Sequence, residues 1–179
     1  MDKLAHVDVS WTLFLDRDGV INERIFGGYI LDYKDFRFSE GLLENAHSIF
    51  SRFCRVIVVT NQQCVAKGLL SKEELDRLHD EMNFDFQKAG AKVDRVYAAL
   101  ERKGEPPFMR KPHTRMAELA QNDFPEIDFS KSIMVGDTDG DLQFGKNLGM
   151  KTVLIRSVEK TTIEADLMLN RLSDLIDFI

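Results

Sequence analysis

The sequence predicts an α/β fold: a three-layer α/β/α sandwich built on a mostly parallel sheet, with no large cap domain. Two observations predict it. Short apolar runs alternate with amphipathic, helix-like segments along nearly the whole chain, the pattern of repeated strand–helix–strand units. Polar residues gather directly after several of those runs, at the strand ends where open parallel sheets place their ligands.

Trp11 to Leu15 reads as the first strand. Gly41 to Phe53 places Leu42, Leu43, Ala46, Ile49, Phe50 and Phe53 at helical spacing. Val56 to Val59 is a second buried strand. Ser71 with Glu74 forms a capping-box pattern that opens a helix running to about Lys88. Val93 to Leu100 is a third strand, Thr114 to Gln121 a helix and Ser132 to Val135 a fourth strand. Asp139 to Leu148 reads as a helix stopped by Gly149. Thr152 to Ile155 is a fifth strand, a short apolar stretch near Leu167 adds an edge, and Leu172 to Ile179 is a closing helix. The Gly104-Glu105-Pro106-Pro107 stretch is a loop within the domain.

At 179 residues, with 44% hydrophobic and 30% charged residues, the chain is long enough for one domain, residues 1–179, with a sizeable core. A net charge of -6 offers no general attraction to nucleic acid or an anionic membrane, so any affinity for phosphate must be local. Cys54 and Cys64 have no metal-ligand spacing and suggest no disulfide framework. The N-terminus lacks a long apolar stretch and no segment is long enough to span a bilayer, so a cytoplasmic location is expected.

The first strand ends in Asp16-Arg17-Asp18-Gly19, two acids one residue apart followed by a glycine. A lone acid pair at such a place is commonly a cap or turn. A strand that delivers two carboxylates into a loop also suits phosphoryl transfer, with one acid to attack phosphorus and one to move a proton. Thr60-Asn61-Gln62 ends the second strand; these side chains either satisfy a local turn or cradle phosphoryl oxygens. Arg110-Lys111 precedes Pro112 and a helix. Such a pair is solvated surface in most proteins, but here the proline can fix its entry, and a lysine near an aspartate and a phosphate would offset charge in the transition state. Val135-Gly136-Asp137-Thr138-Asp139-Gly140-Asp141 puts three acids after a buried strand. One of Asp139 and Asp141 is expected to cap the following helix. The glutamate-closed calcium loop is missing, and carboxylates near Asp16 and Asp18 suit Mg²⁺.

Taken together and in this order, Phe14-Leu15-Asp16-Arg17-Asp18-Gly19-Val20-Ile21-Asn22, Thr60-Asn61-Gln62, Arg110-Lys111-Pro112 and Gly136-Asp137 resemble the haloacid dehalogenase (HAD) superfamily. The likeness runs from Trp11 to the C-terminal helix. It is nearest the capless branch of histidinol-phosphate and heptose bisphosphate phosphatases, and Asn61 to Gly68 looks more like the heptose version. The resemblance implies a Rossmann-like, HAD-like core. It further implies that Asp16 is the nucleophile, that Asp18 is the acid and base, and that Thr60 and Lys111 bind the phosphoryl group. Asp16, the Asp18 backbone carbonyl and Asp137 would hold Mg²⁺, while Asn22, Asn61, Gln62 and Arg110 would contact phosphate or sugar. The implied substrate is a small phosphorylated sugar, heptose 1,7-bisphosphate first. Histidinol phosphate or a nucleic-acid 3′-phosphate is the alternative within the enzyme class, and the acidic net charge argues against the nucleic acid. A non-catalytic phosphate-binding protein on the same scaffold is the alternative of another class.

The heptose-type members carry cysteines and a histidine that bind structural zinc in a loop before the Arg110 position. Tyr97 to Met109 contains neither residue type here, so no structural zinc is expected. Cys64 stands where the family commonly has glycine, and Thr138 where heptose enzymes often have lysine. Of the remaining candidates, Gly27-Gly28 reads as an ordinary turn, with a flexible substrate-facing turn as the alternative, Phe36 and Phe38 read as core packing, and His6, His47, His79 and His113 as structural or solvated. Cys54 reads as a small core residue, and Cys64 lies where it could be exposed and oxidised.

Overall fold

A computed structural model describes residue 4 and residues 6–179. Its strands are β1 (Thr12–Leu15), β2 (Arg55–Asn61), β3 (Arg95–Ala99), β4 (Ser132–Gly136), β5 (Lys151–Ile155) and β6 (Leu167–Leu169). The α-helices are α1 (Leu42–Phe50), α2 (Lys72–Lys88), α3 (Arg115–Asp123) and α4 (Asp139–Asn147). All strands pair parallel, in the order β3-β2-β1-β4-β5-β6.

Period-two alternation divides each central strand between two cores. Leu13, Leu15, Val56, Val58, Ile133 and Val135 face one side, where Ala46 and Ile49 of α1 and Leu78, Met82 and Phe86 of α2 cover them. Phe14, Ile57, Val59 and Met134 face the other side, against Met116 and Ala120 of α3 and Phe144 of α4. Ser71 and Glu74 close the expected capping box on α2, with Glu74 N–H donating to Ser71 Oγ at 3.1 Å. Phe36 and Phe38 pack edge to face, 5.0 Å between centroids, and Phe38 meets Phe86 of α2.

The expected closing helix forms as a 3₁₀ helix (Leu172–Phe178). Its apolar residues Leu172, Leu175 and Phe178 recur every third position, which suits three residues per turn, and the first two are buried. Cys64 is fully buried beside Gln62, where burial first of all pushes its thiol pKa up, so it is not an exposed oxidisable group. Cys54 is half-exposed at the sheet's rim, its thiol donating to the Ser10 carbonyl at 3.4 Å, and is not a core residue.

The strand order places the site. From β1 the chain steps outward through β2 to β3, then returns to lay β4 against the other side of β1. Connections leave this central pair in opposite directions and open a crevice at its carboxyl end. Leu15 is level with both Val135 and Val58, so Asp16, Gly136 and Val59 follow at one height.

Candidate active site

Asp16 and Asp137 are the residues that β1 and β4 deliver to this crevice. Two glycines let them approach. Gly19 has a left-handed φ of +91°, and a Cβ there would lie 2.3 Å from Asp137 Oδ2. A Cβ on Gly136 would lie 2.0 Å from the Cβ of Asp141, so only glycine admits that side chain behind the strand.

Asp16, Asp137 and Asp141 are all buried, with one carboxylate oxygen from each within 4.8 Å of the others. Lys111, also buried, places its ammonium 2.6 Å from Asp16 Oδ1, 2.6 Å from Asp141 Oδ1 and 2.7 Å from the carbonyl of Val59. Arg24 donates to Asp137 Oδ2 at 3.1 Å and reaches Glu159 at 3.3 Å across the mouth. Against three carboxylates stand two cations, which leaves the cluster negative when all are ionised. Burial is the main cause that raises the pKa of Asp16 to about 8. Lys111 opposes it, and Asp141, Asp137 and Asp18 add to it. Burial, then Asp141, raises Asp137 to about 6 against the pull of Arg24. Burial tends to lower Lys111, but Asp141 and Asp16 outweigh it and hold the ammonium charged.

Among the described residues, Asp137 Oδ1 is a buried acceptor with no hydrogen-bond partner. An unpartnered carboxylate oxygen in an all-oxygen, net-negative cluster fits a hard divalent cation. Asp141 belongs to this donor set as well as closing a capping box with Thr138 on α4. Asp139 does not: its carboxylate accepts from the N–H groups of Thr162 and Ile163.

Asp18 turns its carboxylate away from the cluster. Arg17 Nη2 donates to both oxygens at 3.0 Å, Asn22 to Oδ1 at 3.0 Å and Gln62 to Oδ2 at 2.7 Å. Burial would raise its pKa, but Arg17 and these amides outweigh it, so the carboxylate is held ionised. Arg17 is itself fully buried, with His79 Nε2 3.1 Å from Nη1. Burial, then Arg17, lowers the His79 pKa to about 3, so the ring is neutral.

The cleft above these groups has a volume of about 510 Å³. Asp16, Asp18, Asn61, Arg110, Lys111 and Asp137 all line it. Asn22 and Gln62 do not; both are buried behind Asp18, and Gln62 also donates to Thr60 Oγ1 at 2.9 Å. Thr60 is buried as well and, like Gln62, does not line the cleft. Asn61 lines the wall but spends its amide on the chain: its Oδ1 accepts from Lys111 N–H at 3.0 Å. Sequence reasoning missed Arg24 and the Arg17–His79 contact. Arg24 lies in an irregular loop without a periodic signal, whereas a basic residue flanked by two acids on a strand end was a usable sign for Arg17.

Comparison with known proteins agrees with this architecture. A family model described as HAD-hydrolase-like matches residues 108–175. A D-glycero-α-D-manno-heptose-1,7-bisphosphate 7-phosphatase of Burkholderia mallei is 34% identical over 177 residues, covering 93% of this chain and 92% of that protein. A D-glycero-β-D-manno-heptose-1,7-bisphosphate 7-phosphatase of Haemophilus ducreyi is also 34% identical, over 93% of this chain and 97% of that one. The crystal structure of D,D-heptose 1,7-bisphosphate phosphatase from B. bronchiseptica, complexed with magnesium and phosphate, has the same fold. Its TM-score is 0.82 at 21% identity, over 93% of this chain and 96% of that one. With such identity across nearly its full length, the chain belongs to the HAD-like hydrolases and is a phosphatase of that family.

Proposed function

We propose that the chain is a Mg²⁺-dependent phosphatase of D-glycero-D-manno-heptose 1,7-bisphosphate that works through an aspartyl-phosphate on Asp16. The observation that carries this reading is the Asp16 carboxylate at the cleft floor, paired with the Lys111 ammonium beside the unpartnered oxygen of Asp137. The substrate comes from the relatives, which act on the α anomer in one species and the β anomer in another at equal identity.

A carboxylate and a phosphate anion repel, so the nucleophile works only where positive charge offsets both. Asp16, Asp137 and Asp141 would hold the cation, joined by the Asp18 backbone carbonyl. Once bound, Mg²⁺ supplies the charge that steadies the phosphoryl oxygens. Lys111 remains on Asp16 Oδ1, leaving the second oxygen of Asp16 free to attack. The new bond is Asp16 oxygen to phosphorus, and the bond that breaks joins phosphorus to the sugar oxygen. Asp18, ionised at rest, takes the proton of the bound phosphate monoanion and gives it to that oxygen as it leaves. In the second step Asp18 takes a proton from water, whose oxygen bonds to phosphorus as the Asp16–phosphorus bond breaks. The departing phosphate carries that proton away, so Asp18 returns to its ionised form in each turnover. Arg17, Asn22 and Gln62 favour the ionised form of Asp18 that the second step needs. Its side chain keeps 27% exposure toward the cleft, room to leave those donors for the sugar oxygen.

The test is phosphate release, with and without Mg²⁺, from both heptose bisphosphate anomers, histidinol phosphate and a 3′-phosphorylated oligonucleotide. A Mg²⁺-dependent preference for one heptose anomer is expected, with Asp16→Asn inactive yet folded. Preference for another phosphate would move the substrate, and full activity in Asp16→Asn would remove the nucleophile assignment.

A further inference from the structure

We propose that Glu101 is a positioning residue for the far end of the cleft, holding Arg110 where it meets the substrate's second anionic group. The inference rests on the phosphatase reading above and extends it to substrate length.

Glu101 lies two residues beyond β3 and is only 8% exposed. A single oxygen of its carboxylate, Oε1, accepts from Met109 N–H at 2.6 Å and from Arg110 N–H at 2.8 Å. The chain between, residues 102–108, is exposed throughout and has no strand or helix of its own. One buried carboxylate thus closes the base of an exposed loop, a charge-assisted arrangement stronger than a neutral turn. The loop brings Lys103 to the cleft, and Arg110 follows at its base. Arg110 is half-buried, and its Nη1 is buried with no hydrogen-bond partner among the described residues. Burial lowers its pKa while the nearby Glu101 charge opposes that. An unpartnered guanidinium nitrogen, in a cleft that Lys103 also lines, is suited to a phosphate oxygen.

The next residue is held separately. Lys111 N–H donates to Asn61 Oδ1, at the end of β2, and its ammonium is fixed by Asp16 and Asp141. Successive backbone N–H groups are therefore gripped by side chains near the ends of two different strands, Glu101 just after β3 for Arg110 and Asn61 at the end of β2 for Lys111. Loosening the first grip releases Arg110 and leaves the reacting end in place. Glu101 sets recognition of the distal group, and Lys111 serves the phosphate that reacts.

The experiment uses full-length protein carrying Asp16→Asn, so that ligands are bound without turnover, in Mg²⁺ buffer. Calorimetric titration compares heptose 1,7-bisphosphate with heptose 7-phosphate, which lacks only the far phosphate. Glu101→Ala is expected to weaken the bisphosphate about tenfold or more, the scale of a lost charged hydrogen bond, and to leave the 7-phosphate within about twofold. Glu101→Gln, which keeps the accepting oxygen, is expected to restore most of the bisphosphate affinity. Equal weakening of both ligands, or of neither, would overturn the proposal. So would a parent that binds the two ligands equally, whatever substrate the wild-type enzyme prefers. Circular dichroism of both variants separates a misfolded chain from a displaced Arg110. If Glu101→Ala folds only in part, Glu101→Gln decides the matter. That variant must bind the bisphosphate within about threefold of the parent; a greater loss also overturns the proposal.

Discussion

Asp137→Asn in the absence of divalent metal is expected to stabilise this protein at pH 8. The Asp137 side chain is 1% exposed, and burial, then Asp141, raise its pKa from an ordinary 3.8 to about 6, with Arg24 already pulling the other way. Each pH unit of that difference is worth about 1.4 kcal/mol, so the ionised carboxylate costs the folded state about 3 kcal/mol relative to its neutral form. The sign follows from proton binding. Between the unfolded and the folded value the native state holds more protons, so stability is fully present below about pH 4 and is lost as pH rises through about 6. Asparagine has nearly the shape of the neutral acid and carries no charge. At pH 8 it should raise the melting temperature by about 5 to 10 °C for a chain of this size. At pH 4 the two proteins should melt together. The assay is thermal denaturation in chelator at both pH values, followed by titration of Mg²⁺. The parent should gain stability from Mg²⁺, more at pH 8 than at pH 5.5, and the variant should gain little. A variant that melts at or below the parent at pH 8, or a difference that persists at pH 4, would refute the electrostatic account of this cluster.

Lys111→Met removes the ammonium shared by Asp16 and Asp141. It should lower kcat by about a thousandfold or more and destabilise the fold by about 3–5 kcal/mol, because two buried carboxylates lose their counter-charge. Phosphate release and chemical denaturation read the two effects separately, and activity within tenfold of wild type would contradict the role of Lys111. Since Tyr97 to Met109 has neither cysteine nor histidine, metal analysis of purified protein should find no stoichiometric zinc, whereas one zinc retained per chain through chelation would contradict this.

The strands and most of the site were legible because parallel sheets bury their strands on both faces and expose polar chemistry only at the ends. Asp16, Asp18, Thr60, Asn61 and Asp137 all announce themselves as polar residues that terminate apolar runs. What was not legible depends on distance along the chain. Arg24 meets Asp137 across 113 residues, and Arg17 meets His79 across 62, pairings that no local period encodes. Asn22 and Gln62 were expected at the substrate. Their types were right for hydrogen bonding, but only the packing shows that both amides face Asp18. Glu101 carries no motif; its importance comes from burial, which a single acid after a strand does not reveal.

Asp141 shows why the cluster exists at all. One of its oxygens closes the cap of α4 through Thr138, and the other pairs with Lys111. An acid at a helix N-terminus is ordinarily a solvated, stabilising choice. Here the helix starts so close to the end of β4 that its capping acid falls inside the sheet's crevice, and Gly136 is what allows it there. Lys111 then neutralises part of a charge that two strands and one helix have brought together. The negative balance that remains on Asp16 and Asp137 opposes folding and favours a cation, so the feature that suits the site for phosphate chemistry is also its local weakness. Relief of that strain by metal or by Asp137→Asn should be interchangeable in a melting experiment, while only the metal can support turnover.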